Sequence, residues 1–184
     1  MTGEKLKRRF IWFTVFAMGF EMLAVATQAA RGELSHFNQH GIYNIILYAL
    51  MGIVITAQTL FSLYLAFRFF QHTPRTLTYS MLWAIRLGII ISTIFALQGG
   101  FIGQRMAHTV GAADGSPGIP ILNWSKEYGD LRIAHFFGLH ALQILPIFAY
   151  IGKFRDKVPV MIFGLCYFCL VSFIFYYALL GKGY

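Results

Sequence analysis

Histidine has the widest chemical range of the residue types in this sequence. A neutral imidazole binds haem iron and transition metals, and the ring also carries protons near neutral pH. The chain has six histidines, and five of them fall near the same predicted ends of long apolar segments, whereas His72 falls near the opposite ends. A cluster of this kind predicts a metal or haem site. Its members are His36, His40, His108, His135 and His140.

Glu21 is the one carboxylate inside a predicted membrane span. At a rise of 1.5 Å per residue, Glu21 and His140 both lie about 12–14 Å below the outer surface. Ionisable residues at that depth are costly, so each is a candidate for function. We expect Glu21 to act as a buried proton carrier or catalytic group. Gln143 shares a helix face with His140 and is, with His135 and His140, a candidate cofactor-binding residue.

The spacing of His135 and His140 limits a simple metal site. Residues five apart on a regular helix point about 140° away from each other. Two ligands on one helix face are normally four apart, as in the H-E-x-x-H pattern. A single ion would therefore need a π-bulge to reach both rings. Otherwise each ring has its own partner, or one of them is structural.

Four functions are open at this point, and the last of them is small-molecule or ion transport, which would need Glu21 and Arg86 to line one continuous water path. The first is redox or quinol-linked chemistry at a haem b or a transition metal ion in the outer half of the membrane. The second is a zinc-dependent intramembrane hydrolase that acts on a lipid, with histidines that hold an activated water. The third is a non-catalytic subunit of a larger membrane complex, in which the polar residues are glue between helices.

The composition sets the environment in which these residues act. Of the 184 residues, 58% are hydrophobic and 12% are charged, and the mean hydropathy is +0.63. Soluble domains carry roughly 25% charged residues. The sequence is therefore not that of a soluble domain, a disordered chain or a nucleic-acid-binding module. The net charge of +8 comes from basic residues between apolar spans.

The apolar pattern predicts an all-α bundle of five transmembrane helices in a single domain, 1–184. About 20 apolar residues are needed for each crossing. Basic residues before the first span, at 68–75 and at 153–157 place the N-terminus inside and the C-terminus outside. The predicted spans are 9–30, 41–70, 78–103, 131–152 and 158–180, and the segment 104–130 is a long extracytoplasmic loop.

Polar residues recur on single faces of the first two spans. Thr14, Glu21 and Gln28 are seven residues apart on the first span, and Asn44 and Gln58 share one face of the second. These stripes predict the inward faces of the bundle, where polar side chains hydrogen-bond between helices.

The long loop and two short motifs carry further expectations. Asp130 precedes the fourth span, where its side chain can cap the helix, pair with Arg132 or orient His135. The loop itself could fold back as a lid over the histidines. Gly99 and Gly103 form a GxxxG pattern that favours close helix packing, with a homodimer as one possibility. The two cysteines at 166 and 169 are expected to be packing residues.

Three segments carry a resemblance to an uncharacterised family of small bacterial membrane proteins. They are QAARGELSHFN, AHTVGAADGSPGIPILNWS and GDLRIAHFFGLHALQILP, and they cover about a third of the chain. The resemblance implies a multi-pass protein of the bacterial cytoplasmic (inner) membrane and carries no activity. Membrane lipid, a quinone or a partner from a membrane complex are the expected contacts, and nucleic acid is not expected.

Overall fold

A computed structural model of the chain describes residues 3–71, 76–115 and 117–183. The expectations that concern His72 and Arg75 lie outside these residues. The described part contains five α-helices, each long and apolar enough to span a membrane, which confirms the all-α prediction and the number of candidate spans. Insertion and the side on which each terminus lies stay predictions. The helices are α1 (Gly3–Ala30), α2 (Ile42–Gln71), α3 (Tyr79–Arg105), α4 (Leu131–Ile151) and α5 (Val158–Leu179).

The chain divides into two compact units, Met1–Leu65 and Ala66–Tyr184. In the first unit, polar side chains link α1 to α2. The Gln28 amide donates to Asn44 Oδ1 over 3.0 Å, and the Gln58 amide donates to Thr14 Oγ1 over 2.8 Å. The two helices therefore meet along the polar stripes that the sequence predicts for them. That all 184 residues form one domain stays a prediction.

The second unit is built around three helices, α3, α4 and α5, which pack on one another. Small residues allow this close approach. A Cβ atom on Gly88 would lie 3.0 Å from the carbonyl oxygen of Ala141, and one on Gly138 would run into the ring of Phe95. The buried core of the unit consists of Ala84, Ile91, Phe95, Ala134, Ala141, Leu145, Ala149, Val160 and Val171.

The connection between α3 and α4 folds onto the helix ends of the second unit. Strand β1 (Thr109–Val110) pairs antiparallel with β2 (Gly129–Asp130). Gly129 packs directly against the backbone of Ala178 near the end of α5, and the Gly183 N–H donates to the Glu127 carbonyl oxygen over 3.1 Å. We call this the loop-bearing end of the second unit: the described loop residues 106–115 and 117–130, with the first turns of α4 and the last turn of α5.

The two cysteines, Cys166 and Cys169, are free and exposed on α5. The expectation that they are packing residues is wrong, because the core-facing positions of this helix are filled by others. Val160, Gly164, Val171 and Ala178 are the buried residues of α5, so the cysteine positions fall on its outward side.

Candidate functional site

Asp130 is the most buried charged residue of the loop-bearing end, with no exposed surface. It is the N-cap of α4 and accepts the Arg132 backbone N–H over 3.0 Å. It also accepts the Ser125 N–H over 3.0 Å and pairs with the Arg132 guanidinium, whose Nη2 lies 2.6 Å from Oδ2. Asp130 therefore caps the helix and pairs with Arg132, as expected. His135 is oriented by another group.

The pKa of Asp130 reflects two opposing effects. Burial of the carboxyl raises its pKa, but the hydrogen bonds from Arg132 and Ser125 and the positive charge of Arg132 lower it further than burial raises it, so that the pKa lies below its ordinary value. The group is therefore an anion near neutral pH, which suits a structural cap and makes it a poor general acid.

His108 belongs to a second anchor in the same loop. Asp114 accepts the backbone N–H groups of His108 and Thr109 over 3.1 and 2.8 Å. The Nδ1 atom of His108 lies 3.2 Å from Asp114 Oδ1. Asp114 thus organises the loop, a role that was not predicted from the sequence. The sequence feature that could have indicated this role is the Asp114-Gly115 pair, which is typical of a turn. In the structure Gly115 has a φ of 97°.

His135 points into the contact between α3 and α4. Its Nδ1 lies 2.7 Å from the carbonyl oxygen of Phe95, and since a carbonyl only accepts, Nδ1 carries the proton. A Cβ atom on Gly99 would lie 2.5 Å from Cε1 of the His135 ring. The GxxxG pattern therefore allows close helix packing, as predicted, and its first glycine makes room for this ring.

His140 lies on a different face of α4, as the five-residue spacing predicts. Its Nδ1 is 2.7 Å from the carbonyl oxygen of Phe136, so Nδ1 again carries the proton and Nε2 keeps its lone pair. The ring of Phe136 lies against the imidazole with centroids 4.1 Å apart. His140 is half-buried, and Gln143 is exposed less than one turn further along the helix.

The first unit holds the remaining candidates. Glu21 Oε1 lies 3.3 Å from Nε2 of His36, and Ser35 Oγ lies 3.0 Å from Nδ1 of the same ring. Oε2 of Glu21 is buried and has no hydrogen-bond partner among the residues that the structure describes. His40 is exposed, and its backbone N–H donates to Asn38 Oδ1 over 3.0 Å.

The described residues do not assemble a complete metal-ligand set. Within 3–71, 76–115 and 117–183, no three His, Cys, Asp or Glu side chains form a group that could hold a metal ion. A zinc site of the hydrolase type needs three protein ligands, so that alternative gains no support. A haem needs only one or two axial ligands.

No family model, no curated protein and no solved structure matches this chain. The resemblance to uncharacterised bacterial membrane proteins therefore stays a prediction, and any function has to be argued from the geometry.

Proposed function

We propose that this chain is a multi-span membrane protein that binds a b-type haem through Nε2 of His140, for redox or quinol-linked chemistry. The observation that carries the proposal is the hydrogen bond from His140 Nδ1 to the carbonyl oxygen of Phe136, 2.7 Å long. Such a bond fixes the tautomer and the orientation of a ligating imidazole, and it raises the basicity of the other nitrogen.

The surroundings of His140 suit a porphyrin. Phe136 lies against the imidazole, and it is 41% exposed, so its ring extends the apolar surface beside the ligand nitrogen. Leu139 is also exposed on this helix. Gln143 is exposed near His140, and its amide is a donor for a haem propionate. A haem would supply one-electron chemistry, and these residues would hold and orient it.

We assign His135 to packing rather than to ligation. Its ring fills the space that Gly99 leaves on α3, and its proton is held by the Phe95 carbonyl oxygen. A ligand role would require this ring to leave the helix contact. Of the two histidines on α4, only His140 would therefore hold the haem.

The Glu21–His36 pair supports a proton-carrying role in the first unit. Glu21 is half-buried in a candidate span, whereas the His36 side chain is 45% exposed, and the two groups lie 3.3 Å apart. A proton released in quinol oxidation can pass from the carboxyl group to the imidazole and then to water. With the N-terminus inside, this exit faces the outer side of the bacterial inner membrane.

The test of the haem is the visible absorption spectrum of the detergent-purified protein, oxidised and dithionite-reduced, with iron analysis of the same sample. We expect a Soret band that shifts on reduction, with about one iron per chain. His140→Ala should lose the band, and His40→Ala, the matched control at an exposed histidine, should keep it. The proposal would be overturned by a colourless wild-type protein that retains no Soret band after incubation with hemin and removal of the excess, or by a His140→Ala variant with an unchanged spectrum.

The proton role has its own test. In the haem-loaded protein, Glu21→Gln should slow haem reduction by a quinol and leave the spectrum unchanged. Glu4→Gln, at an exposed position outside the apolar part of α1, is the control. Equal rates for the two variants would remove Glu21 from the mechanism.

A second candidate is a non-catalytic subunit of a membrane complex. It is favoured by an open apolar groove on α2, lined by small residues that permit close helix packing, among them Ala49, Gly52 and Ala57. A homodimer or another membrane chain would fit this face. Cross-linking in native membranes, compared between wild type and Gly52→Leu, tests it: an unchanged cross-linking pattern rejects the groove as an interface.

A further inference from the structure

The segment 118–125 forms a small apolar hairpin within the loop of the second unit. Gly118 and Ser125 form an antiparallel bridge, the Ile119 N–H donates to the Trp124 carbonyl oxygen over 2.8 Å, and the Asn123 N–H donates to the Ile119 carbonyl oxygen over 2.9 Å. We call 118–125 the apolar hairpin. Its tip carries Ile121 and Leu122.

The tip presents large apolar side chains to the surroundings. Ile121 is fully exposed, at 102%, and Leu122 is 47% exposed. Ile121 also has a φ of 72°, a left-handed conformation that β-branched residues rarely adopt. Backbone strain of this kind persists only where the surrounding structure enforces it. The fold therefore holds this side chain outward at a conformational cost.

The hairpin is fixed to the beginning of α4 by polar contacts. Arg132 Nη2 donates to the Asn123 carbonyl oxygen over 2.7 Å, and the same guanidinium is paired with the buried Asp130. The Gly118 N–H donates to Asn123 Oδ1 over 3.0 Å. These bonds tie the exposed tip to the most buried charge of the loop, so the tip is held at a defined level relative to α4.

The position of the hairpin along α4 is set by the contacts of Trp124. Its ring contacts Phe136 and Phe137, with centroids 5.5 and 6.4 Å apart. These two residues lie about 8 Å along α4 from its first residue, at 1.5 Å per residue. The 21 residues of α4 span only about 32 Å, close to the thickness of the hydrocarbon core. A helix of this length needs all its residues for the crossing, so Phe136 and Phe137 lie inside the boundary.

We propose that the apolar hairpin inserts its tip, Ile121 and Leu122, into the interfacial layer of the lipid bilayer beside α4. The exposed face of Phe137 belongs to the lipid-facing surface of a candidate span, and the contact of Trp124 with Phe137 joins the hairpin to that surface. Tryptophan is typical of this depth, because its ring is amphipathic. The tip therefore contacts lipid, and the hairpin anchors the loop to the membrane.

The test places a fluorescent probe on the tip of the full chain in phosphatidylcholine vesicles. Both native cysteines are exposed, so Cys166→Ala and Cys169→Ala give a background without thiols. Ile121→Cys is then labelled with an environment-sensitive dye. Ala113→Cys, at an exposed position elsewhere in the same loop, is the matched control, and Leu122→Cys is a second tip position.

We expect blue-shifted emission from both tip positions, quenching by lipids brominated near the headgroup end of the acyl chains, and weak quenching by iodide in water. The control should show red-shifted emission and strong quenching by iodide. Tip probes that behave like the control would overturn the proposal and leave the tip for a protein partner. The dye reports depth in any variant that inserts, and trypsin resistance of the labelled protein identifies those that fold.

Discussion

Arg132 and Asp130 form a two-pronged ion pair at the head of α4, with Nε 2.9 Å from Oδ1 and Nη2 2.6 Å from Oδ2. The carboxylate has no exposed surface, and it also caps the helix that begins at the next residue. Arg132 in turn donates to the Asn123 carbonyl oxygen. One buried charge thus sets the start of a candidate span and the position of the apolar hairpin.

Removing this charge should destabilise the second unit in two separable steps. Asp130→Asn keeps a good helix cap but loses the ion pair, and we expect a loss of about 2 kcal/mol, the scale of a hydrogen bond to a charged group. Asp130→Ala also loses the cap and should cost about 1 kcal/mol more. Unfolding in mixed detergent micelles, followed by circular dichroism, measures both.

Asp156→Asn is the matched control for that series, because Asp156 is exposed and accepts the neighbouring Lys157 N–H. Its effect should stay within about 0.5 kcal/mol. If Asp130→Ala is no more destabilising than this control, Asp130 does not hold the end of the unit.

Low pH should decrease the stability of the loop-bearing end of the second unit. The pKa of Asp130 lies below its ordinary value, so the folded state binds this proton less tightly than the unfolded chain. The resulting stabilisation is fully present above the unfolded pKa of about 3.9 and is lost as the pH falls through the lower folded value. Asp130→Asn has no such carboxyl and serves as the reference.

The measurement is the difference in free energy of unfolding between wild type and Asp130→Asn as a function of pH. We expect the difference to be constant from about pH 7 to about pH 5 and to shrink below about pH 4. If the difference in free energy already falls between about pH 7 and about pH 5, a group other than Asp130 causes the pH dependence.

The helices could be predicted from the sequence because each needs a long apolar run, and such runs are visible without any partner. The stripes of Thr14 and Gln28 on α1 and of Asn44 and Gln58 on α2 also followed from spacing, and these residues do hydrogen-bond to each other. The predicted start of α1 was less accurate. It begins at Gly3 rather than at residue 9, because a charged helical turn can continue beyond the apolar run.

The candidate site was harder to predict because each histidine depends on neighbours far away in the sequence. Spacing showed that His135 and His140 diverge, but only the fold shows that Phe95, 40 positions earlier, takes the His135 proton. The apolar hairpin was also missed. The sequence shows the apolar run at 119–122. Its exposure cannot be predicted from the sequence, because it depends on the tertiary hydrogen bonds of Asn123 and Arg132.

Substitution of glycine by alanine should have opposite effects on stability at two neighbouring positions of α3, Gly99 and Gly100. In Gly99→Ala the new Cβ would lie 2.5 Å from Cε1 of His135, so the ring must move and its bond to Phe95 weakens. We expect a loss of about 1–3 kcal/mol, the usual cost of overpacking. Gly100→Ala meets nothing within 4 Å and should stabilise α3 by about 0.5–1 kcal/mol.

The two glycine variants can be compared by thermal unfolding in the same detergent. Equal melting temperatures would show that the His135 ring is not held against α3, and the assignment of His135 to packing would then lose its basis. His135 would in that case return as a candidate ligand beside His140.

The last prediction concerns the loop anchor at Asp114, which accepts two backbone N–H groups and lies 3.2 Å from the His108 ring. Asp114→Ala leaves these donors without their acceptor, and a loss of about 1 kcal/mol of local stability is the expected scale. The open population of the loop should then rise about fivefold, and with it the rate of proteolytic cleavage between β1 and β2. Glu127→Ala is the control, because the side chain of Glu127 is exposed and the backbone carbonyl that accepts the Gly183 N–H is kept in the variant. Limited proteolysis of both variants in vesicles, read by mass spectrometry, checks this. Cleavage of Asp114→Ala at the rate of Glu127→Ala would show that Asp114 does not hold the loop in place.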